Sequence, residues 1–325
     1  MNARTKAPNS SIARRLLLAL VVLGALLVVA GCGGGGSSSG SSTSSGSDNA
    51  ASAGETEPAE DEEAGEEAES GEAAAGGEAV GTGTVEAEWE KPHGEENVAG
   101  YELLKASETR ELAKSLATVF ELPNPLLIKG VNGFGGGPFY NPEDNSITLP
   151  YEFPAVVFNV IVQSNPKGTP EEWGEAAGAV NSFILAHEFA HALIHNFELP
   201  VLGREEDAAD AIATVMLLKA EEGALYAIDA AEFWAAFSGR QEPPALAEYA
   251  DNHSLDRQRA DNILCFVAGS NEGILEAFAE NEVLPEERLV SCPGEWQLLI
   301  SSVEQVLDPH LAYGVNLEPG EQSVE

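Results

Sequence analysis

Apolar residues change their rhythm along the chain, and each rhythm predicts an element. From Leu16 to Ala30 they run almost unbroken. From Glu102 to Phe120 they return every three or four positions, at Leu103, Leu104, Leu112, Leu116 and Val119, which is one face of an amphipathic helix. Pro123 and Pro125 stop it. Leu126–Lys129 and Ser146–Leu149 read as short strands on either side of a Gly-rich turn over 130–137, with Asn141–Asn145 a further turn by composition. Thr169-Pro170-Glu171-Glu172 then has the residues of a helix start: a hydroxyl cap, Pro in the first turn and an acid three positions on. The helix it opens runs from about 170 to Asn196 and is apolar nearly all round, as a buried helix is. A second helix follows over about 205–220, a helical piece over Ala230–Phe237, an apolar run over Ile263–Val267, and a last helix over Leu298–Leu311. The pattern predicts an α+β domain, mostly helical, between residues 98 and 318, with 319–325 a polar tail.

Composition separates this domain from what precedes it. Arg4, Lys6, Arg14 and Arg15 stand before the Leu16–Ala30 run, and Val29-Ala30-Gly31-Cys32 closes it. A basic segment, a short apolar one and small residues at a cleavage point make an export signal over 1–31. Cys32 at that place resembles a lipobox, so Cys32 would carry lipid and anchor the exported chain to the outer face of a bacterial cell membrane. Residues 32–97 are Gly/Ser-rich, then Glu/Ala/Gly-rich, with few large apolar side chains to offset the entropy of ordering. They read as a tether. The whole chain carries 54 acidic against 16 basic side chains, a net charge of −38 to which the tether contributes heavily. An acidic excess of that kind excludes nucleic acid as a partner.

The chemistry sits on the apolar helix. His187-Glu188-Phe189-Ala190-His191 places two imidazoles four residues apart, one turn from each other on one face. Two such rings can share one Zn²⁺, and Glu188 can take a proton from a water attacking a carbonyl. A chance match on a buried helix is the plainer reading, but buried imidazoles and a buried carboxylate are costly unless paired or ligating. Catalytic zinc sites add a third protein ligand and leave one position open. Glu206 is the expected third ligand, with Glu205 and Asp207 as competitors. Asp210, one turn beyond Glu206, would accept a hydrogen bond from the far nitrogen of a liganding histidine. His195 extends the row by another turn, too far along a helix to meet the same ion, and reads as a helix-end residue. Downstream, His253 stands in the polar stretch Asp251–Arg259 as a hydrogen-bond donor for an oxyanion, with Arg259 supporting the site. Their plainer reading is a cap neighbour and a salt-bridge partner. Cys265 and Cys292 remain as a pair, which in an exported chain favours a disulfide closing a loop of about 26 residues and adding about 3 kcal/mol.

His187-Glu188-x-x-His191 followed by Glu206-x-x-Ala209-Asp210 resembles the Glu-zincin pattern, in the short form of the CAAX-processing membrane proteases and their soluble periplasmic relatives. His253 with Arg259 partly resembles a His-Pro-x-x-x-x-Arg segment of such proteases, with Ser254 in place of Pro. Over a longer span the chain is similar to a bacterial domain-of-unknown-function family described as putative metallopeptidases. That likeness rests on Phe139–Pro142, Ile147–Glu152, His187–Leu193, Leu199–Asp210, His253–Arg259, Asn262–Cys265 and Arg288–Cys292, and covers roughly 100 to 312. Pro150 stands where many members carry Cys, so a second disulfide is not implied. The resemblance implies a zincin-like fold with a small sheet over the active helix, a strand near Ile147–Leu149 pairing with extended substrate, peptide hydrolysis as the activity, and a peptide or protein as substrate. The other reading is a lipid-anchored binding or scaffold protein whose zinc site is structural or degenerate.

Overall fold

The computed structural model describes residues 84–317 except 107–108, 134, 221, 239–248 and 313. The export signal over 1–31, Cys32, most of the expected tether and the tail over 319–325 lie outside the described residues.

The described chain is α+β and mostly helical. Its strands are β1 (Val85–Trp89), β2 (Leu126–Val131), β3 (Phe139–Asn141) and β4 (Ser146–Pro150). Its helices are α1 (Glu95–Ala106), α2 (Thr109–Val119), α3 (Glu152–Ser164), α4 (Pro170–Asn196), α5 (Glu205–Leu217), α6 (Gly223–Ser238), α7 (Asp256–Ser270), α8 (Glu272–Glu280) and α9 (Glu286–Leu307). A short 3₁₀ turn, Asp308–His310, follows α9. Among the described residues no helix is long and apolar enough to cross a membrane.

Helix α4 is the centre. Thr169 accepts from the Glu172 backbone N–H while the Glu172 side chain accepts from the Thr169 N–H, so the expected cap forms in both directions. Beyond its second turn almost every residue is buried, from Ala177 to Ile194. Helices α5 and α6 pack along it, α7 packs on α6, and α9 packs on α7. The disulfide Cys265–Cys292 fastens α7 to α9, with Cα atoms 5.0 Å apart.

The sheet has the order β1-β2-β4-β3. β1 and β4 run parallel to β2, and β3 is antiparallel to β4 with Tyr140 opposite Ile147. Leu126, Ile128 and Gly130 face the core while Leu127, Lys129 and Val131 alternate outward. β4 lies between two strands and is buried throughout, so it is not the free edge that a substrate strand needs. The edge strands are β1 and β3.

Several expected boundaries move. The domain starts earlier than residue 98: Val85–Trp89 pairs with β2, the Trp89 ring covers Gly130, and Tyr151 Oη donates to the Glu90 carbonyl at 2.8 Å. This strand hides in the sequence because its middle residues, Glu86, Ala87 and Glu88, are exposed and match the tether in composition. The single helix expected over 102–120 is two helices, α1 and α2, which both pack on α4, while α1 also packs on α3. Thr109 at the start of α2 is buried with its hydroxyl 3.4 Å from that of Ser182 on α4. The last helix begins at Glu286 rather than Leu298 and carries Pro293 inside it. An interior Pro costs about 3 kcal/mol or more. Burial of Leu289, Cys292, Trp296, Ile300, Val303 and Leu307 along one face, with the disulfide, outweighs it.

The α7–α9 crossing is close because Gly269 has no side chain. A Cβ there would lie 2.2 Å from the Cys292 carbonyl oxygen, a backbone atom that cannot swing aside. Gly269→Ala is expected to lower unfolding free energy by about 1–3 kcal/mol in denaturant titration. Gly174→Ala, in α4 with nothing within 4 Å of the new Cβ, is expected to raise it by about 0.5–1 kcal/mol.

Candidate metal centre

A cleft of about 550 Å³ opens beside the middle of α4. β3 and its flanks form one wall, with Pro138, Phe139, Tyr140 and Pro142. The first turn of α5 and the segment Asp251–His253 form the other. His187, Glu188 and His191 make the floor.

The helical repeat brings His187 and His191 together as their spacing predicts, with ring centroids 4.8 Å apart and planes at 82°. Their Nε2 atoms are 3.2 Å apart. Glu206 Oε2 lies 3.1 Å from the first and 3.3 Å from the second. Ligand atoms around a tetrahedral zinc, each about 2.0–2.2 Å from the ion, stand about 3.3–3.6 Å from one another. The triangle of donors therefore has the dimensions of one face of such a site. His253 Nε2 is 3.0 Å from the same Glu206 oxygen, and His187, Glu206 and His253 offer atoms that all lie within 4.8 Å of one another. The His187–His191–Glu206 triangle is the tighter of the two sets and is held by two packed helices. His253 is carried by an irregular segment and sits over that triangle.

The outward nitrogens are held by carboxylates. His187 Nδ1 donates to Asp210 Oδ1 at 2.8 Å, as expected from the spacing of Glu206 and Asp210. His191 Nδ1 donates to Glu205 Oε1 at 2.7 Å, and His195 Nε2 meets the same oxygen at 3.0 Å. Hydrogen bonds at both Nδ1 atoms leave the Nε2 atoms to face a cation. Glu205, a competitor for the ligand role, does not join the triangle. It instead pairs across the helix interface, and the signal for it was His191 and His195, four apart on one face of α4. Asp207 accepts from the Ser254 hydroxyl at 3.0 Å and is not a ligand candidate. His195 lies against the Tyr140 ring, 5.5 Å between centroids, at the end of α4 as expected.

Arg259 reaches in from α7. Its Nε and Nη2 donate to the two oxygens of Asp210, both at 2.8 Å, and its guanidinium lies 4.0 Å over the Trp234 ring. Asp210 and Arg259 are both only 5 % exposed. Glu188 is buried beside His187 and lines the cleft with Tyr140 of β3.

These contacts set the proton affinities of the metal-free molecule. Burial would lower the His187 imidazole, but its hydrogen bonds to Asp210 and Glu206 outweigh burial and raise it to about 9. Burial likewise opposes, and Glu206 and Glu205 overcome, the same rise at His191. Burial would raise the Glu206 carboxyl, but hydrogen bonds from His187, His191 and His253 hold it far below the usual carboxylate range. Burial would raise Asp210, and Arg259 with His187 holds it well below that range. Glu188 goes the other way: burial dominates and raises its carboxyl. His253 is raised by Glu206, against burial, and by Asp251 at its Nδ1, 2.9 Å away. Both imidazoles of the metal-free site are thus more basic than an ordinary histidine.

Two outcomes follow for measurement. A folded-state value of about 9 against an ordinary 6.5 means that His187 protonation stabilises the metal-free fold fully below about 6.5, and that this is lost as pH rises through about 9. A divalent cation must displace that proton, so the affinity of the metal-free chain for Zn²⁺, read by competition with a chelating dye, should strengthen steadily from pH 6.5 to 9. Asp210→Asn leaves the buried Arg259 charge unopposed and should destabilise the fold by about 3–5 kcal/mol in denaturant titration.

No curated protein matches the chain. No solved structure matches it either. One family does, over residues 89–307, a span that holds the cleft, the α4–α5 pair, Arg259 and the disulfide. On that match the chain belongs to the DUF4344 family, described as putative metallopeptidase.

Proposed function

We propose that the chain is a zinc-dependent peptidase, exported and held by lipid on Cys32 at the outer face of the cell membrane. The family carries the reading as far as a metal-using peptidase. The observation that supports zinc is the donor triangle of His187 Nε2, His191 Nε2 and Glu206 Oε2, with separations of 3.1–3.3 Å, two nitrogens to one oxygen. Nitrogen and oxygen donors on such a triangle suit zinc, and three protein ligands leave a position for chemistry.

When bound, the ion would lower the pKa of a water and polarise the scissile carbonyl. Glu188 takes the proton of the attacking water at its carboxylate and passes it to the leaving nitrogen. Its burial raises its basicity for that task. His253, held at Nδ1 by Asp251, presents Nε2 to the oxygen on which negative charge develops. Glu205 and Asp210 hold the two imidazoles in one tautomer and one orientation. An extended peptide lies along β3, whose outer side is the free edge of the sheet beside Glu188.

Metal content of the purified chain tests this. About one zinc per chain is expected after reconstitution at neutral pH, lost in Glu206→Ala and kept in Glu188→Gln. Cleavage of an unfolded protein such as reduced casein should fall at least about 100-fold in Glu188→Gln. A chain that takes up no zinc refutes the peptidase. Zinc held with equal affinity but no effect of Glu188→Gln on any hydrolysis would make the site structural.

A further inference from the structure

Arg204 stands out among the cleft residues. It is the residue just before α5 and lines the same cleft as Glu188 and the donor triangle. It is the sole lysine or arginine among the described residues that line this cleft. Three acids follow it directly, yet Glu205 turns to His191 and His195, Glu206 to His187, His191 and His253, and Asp207 to Ser254. Among the described residues no carboxylate lies within ion-pair distance of Arg204. What holds it is neutral: Nη1 donates to the His253 carbonyl at 2.9 Å and reaches the Ser254 hydroxyl at 3.4 Å. One nitrogen is therefore engaged with the chain, and the Nε and Nη2 donors have no protein partner among the described residues. Ser254 is itself tied back to Asp207, so the segment that holds the guanidinium is anchored on α5.

We propose that Arg204 binds a carboxylate of the substrate, so that the cleft selects peptides bearing a carboxylate on the α5 side of the bond that is cut. This rests on the peptidase reading of the same cleft. A guanidinium with its remaining donors free on one side has the geometry for a carboxylate, and its position is set before substrate arrives. The chemistry is shared by a peptide's C-terminal carboxylate and by an acidic side chain. The first source gives an enzyme that trims chain ends, and the second an endopeptidase that cuts near Glu or Asp.

Peptide hydroxamates distinguish these, because the hydroxamate group seeks the metal and leaves the rest of the peptide to find the cleft. The probes are Leu-Gly carrying a malonyl hydroxamate on its amino group with a free C-terminal acid, the same compound amidated, and an amidated analogue with Glu in place of Gly. Each is titrated into the zinc-loaded full chain by calorimetry. The free acid or the Glu analogue should bind about tenfold tighter than the plain amide. The free acid alone points to chain ends; the Glu analogue alone, or both, to acidic side chains. The preference should vanish in Arg204→Gln and be kept at least in part in Arg204→Lys, which retains the charge without the guanidinium fork. Equal binding of all three probes by a zinc-loaded chain overturns the proposal, as does a preference that persists in Arg204→Gln. Failure to load zinc at all overturns the peptidase reading instead, and is measured first by metal content.

Discussion

The Asp210 carboxylate is the interaction on which the site and the surrounding helices jointly depend. It is buried, and a buried carboxylate survives only if its charge and its lone pairs are met. Arg259 from α7 meets both oxygens, and His187 from α4 meets one of them. Asp210 itself belongs to α5. A single side chain therefore ties three helices to one another, and the position of the His187 ring is a consequence of how those helices pack. The Trp234 ring on α6 covers the guanidinium and brings in a fourth.

Helix α4 shows the opposing demands that this arrangement resolves. Its burial from Ala177 to Ile194 supplies apolar contact on nearly every side. The same burial would be unfavourable for His187, Glu188 and His191 if they faced only carbon. The first turn of α5 lies where it can serve both histidines, with Glu205 on His191, Glu206 on both and Asp210 on His187. Acidic residues also suit a helix N-terminus, so this turn is favoured by its own backbone as well as by its partners. Across the cleft, β3 contributes Tyr140 to the lining that Glu188 shares.

The cleft is asymmetric. Its β3 wall is built of Pro138, Phe139, Tyr140 and Pro142, and its α5 wall of Arg204, Glu205, Glu206, Asp251, Asn252 and His253. An extended chain entering it would have backbone and apolar surface on one side and charge on the other. Directional binding of that kind requires no change in the metal centre.

How much of this was legible in the sequence depends on the range of the interaction. The α4 helix with its cap and the pairing of His187 with His191 rest on neighbours within a few residues, and the chain alone determined them. Glu206 and Asp210 were readable because one helical turn separates them. Tertiary structure alone decided the rest. Val85–Trp89 looks like tether because an edge strand exposes its middle, and only β2 makes it a strand. The free edge is β3 and not β4, because strand order follows from which strands pair, not from their composition. Glu205 found its role across a helix interface that no spacing along α5 encodes, and Pro293 sits inside α9 because packing and a disulfide outweigh a local preference. Periodicity reports which face of an element is buried. It carries no record of which other face will cover it, and the metal centre is made where two such faces meet.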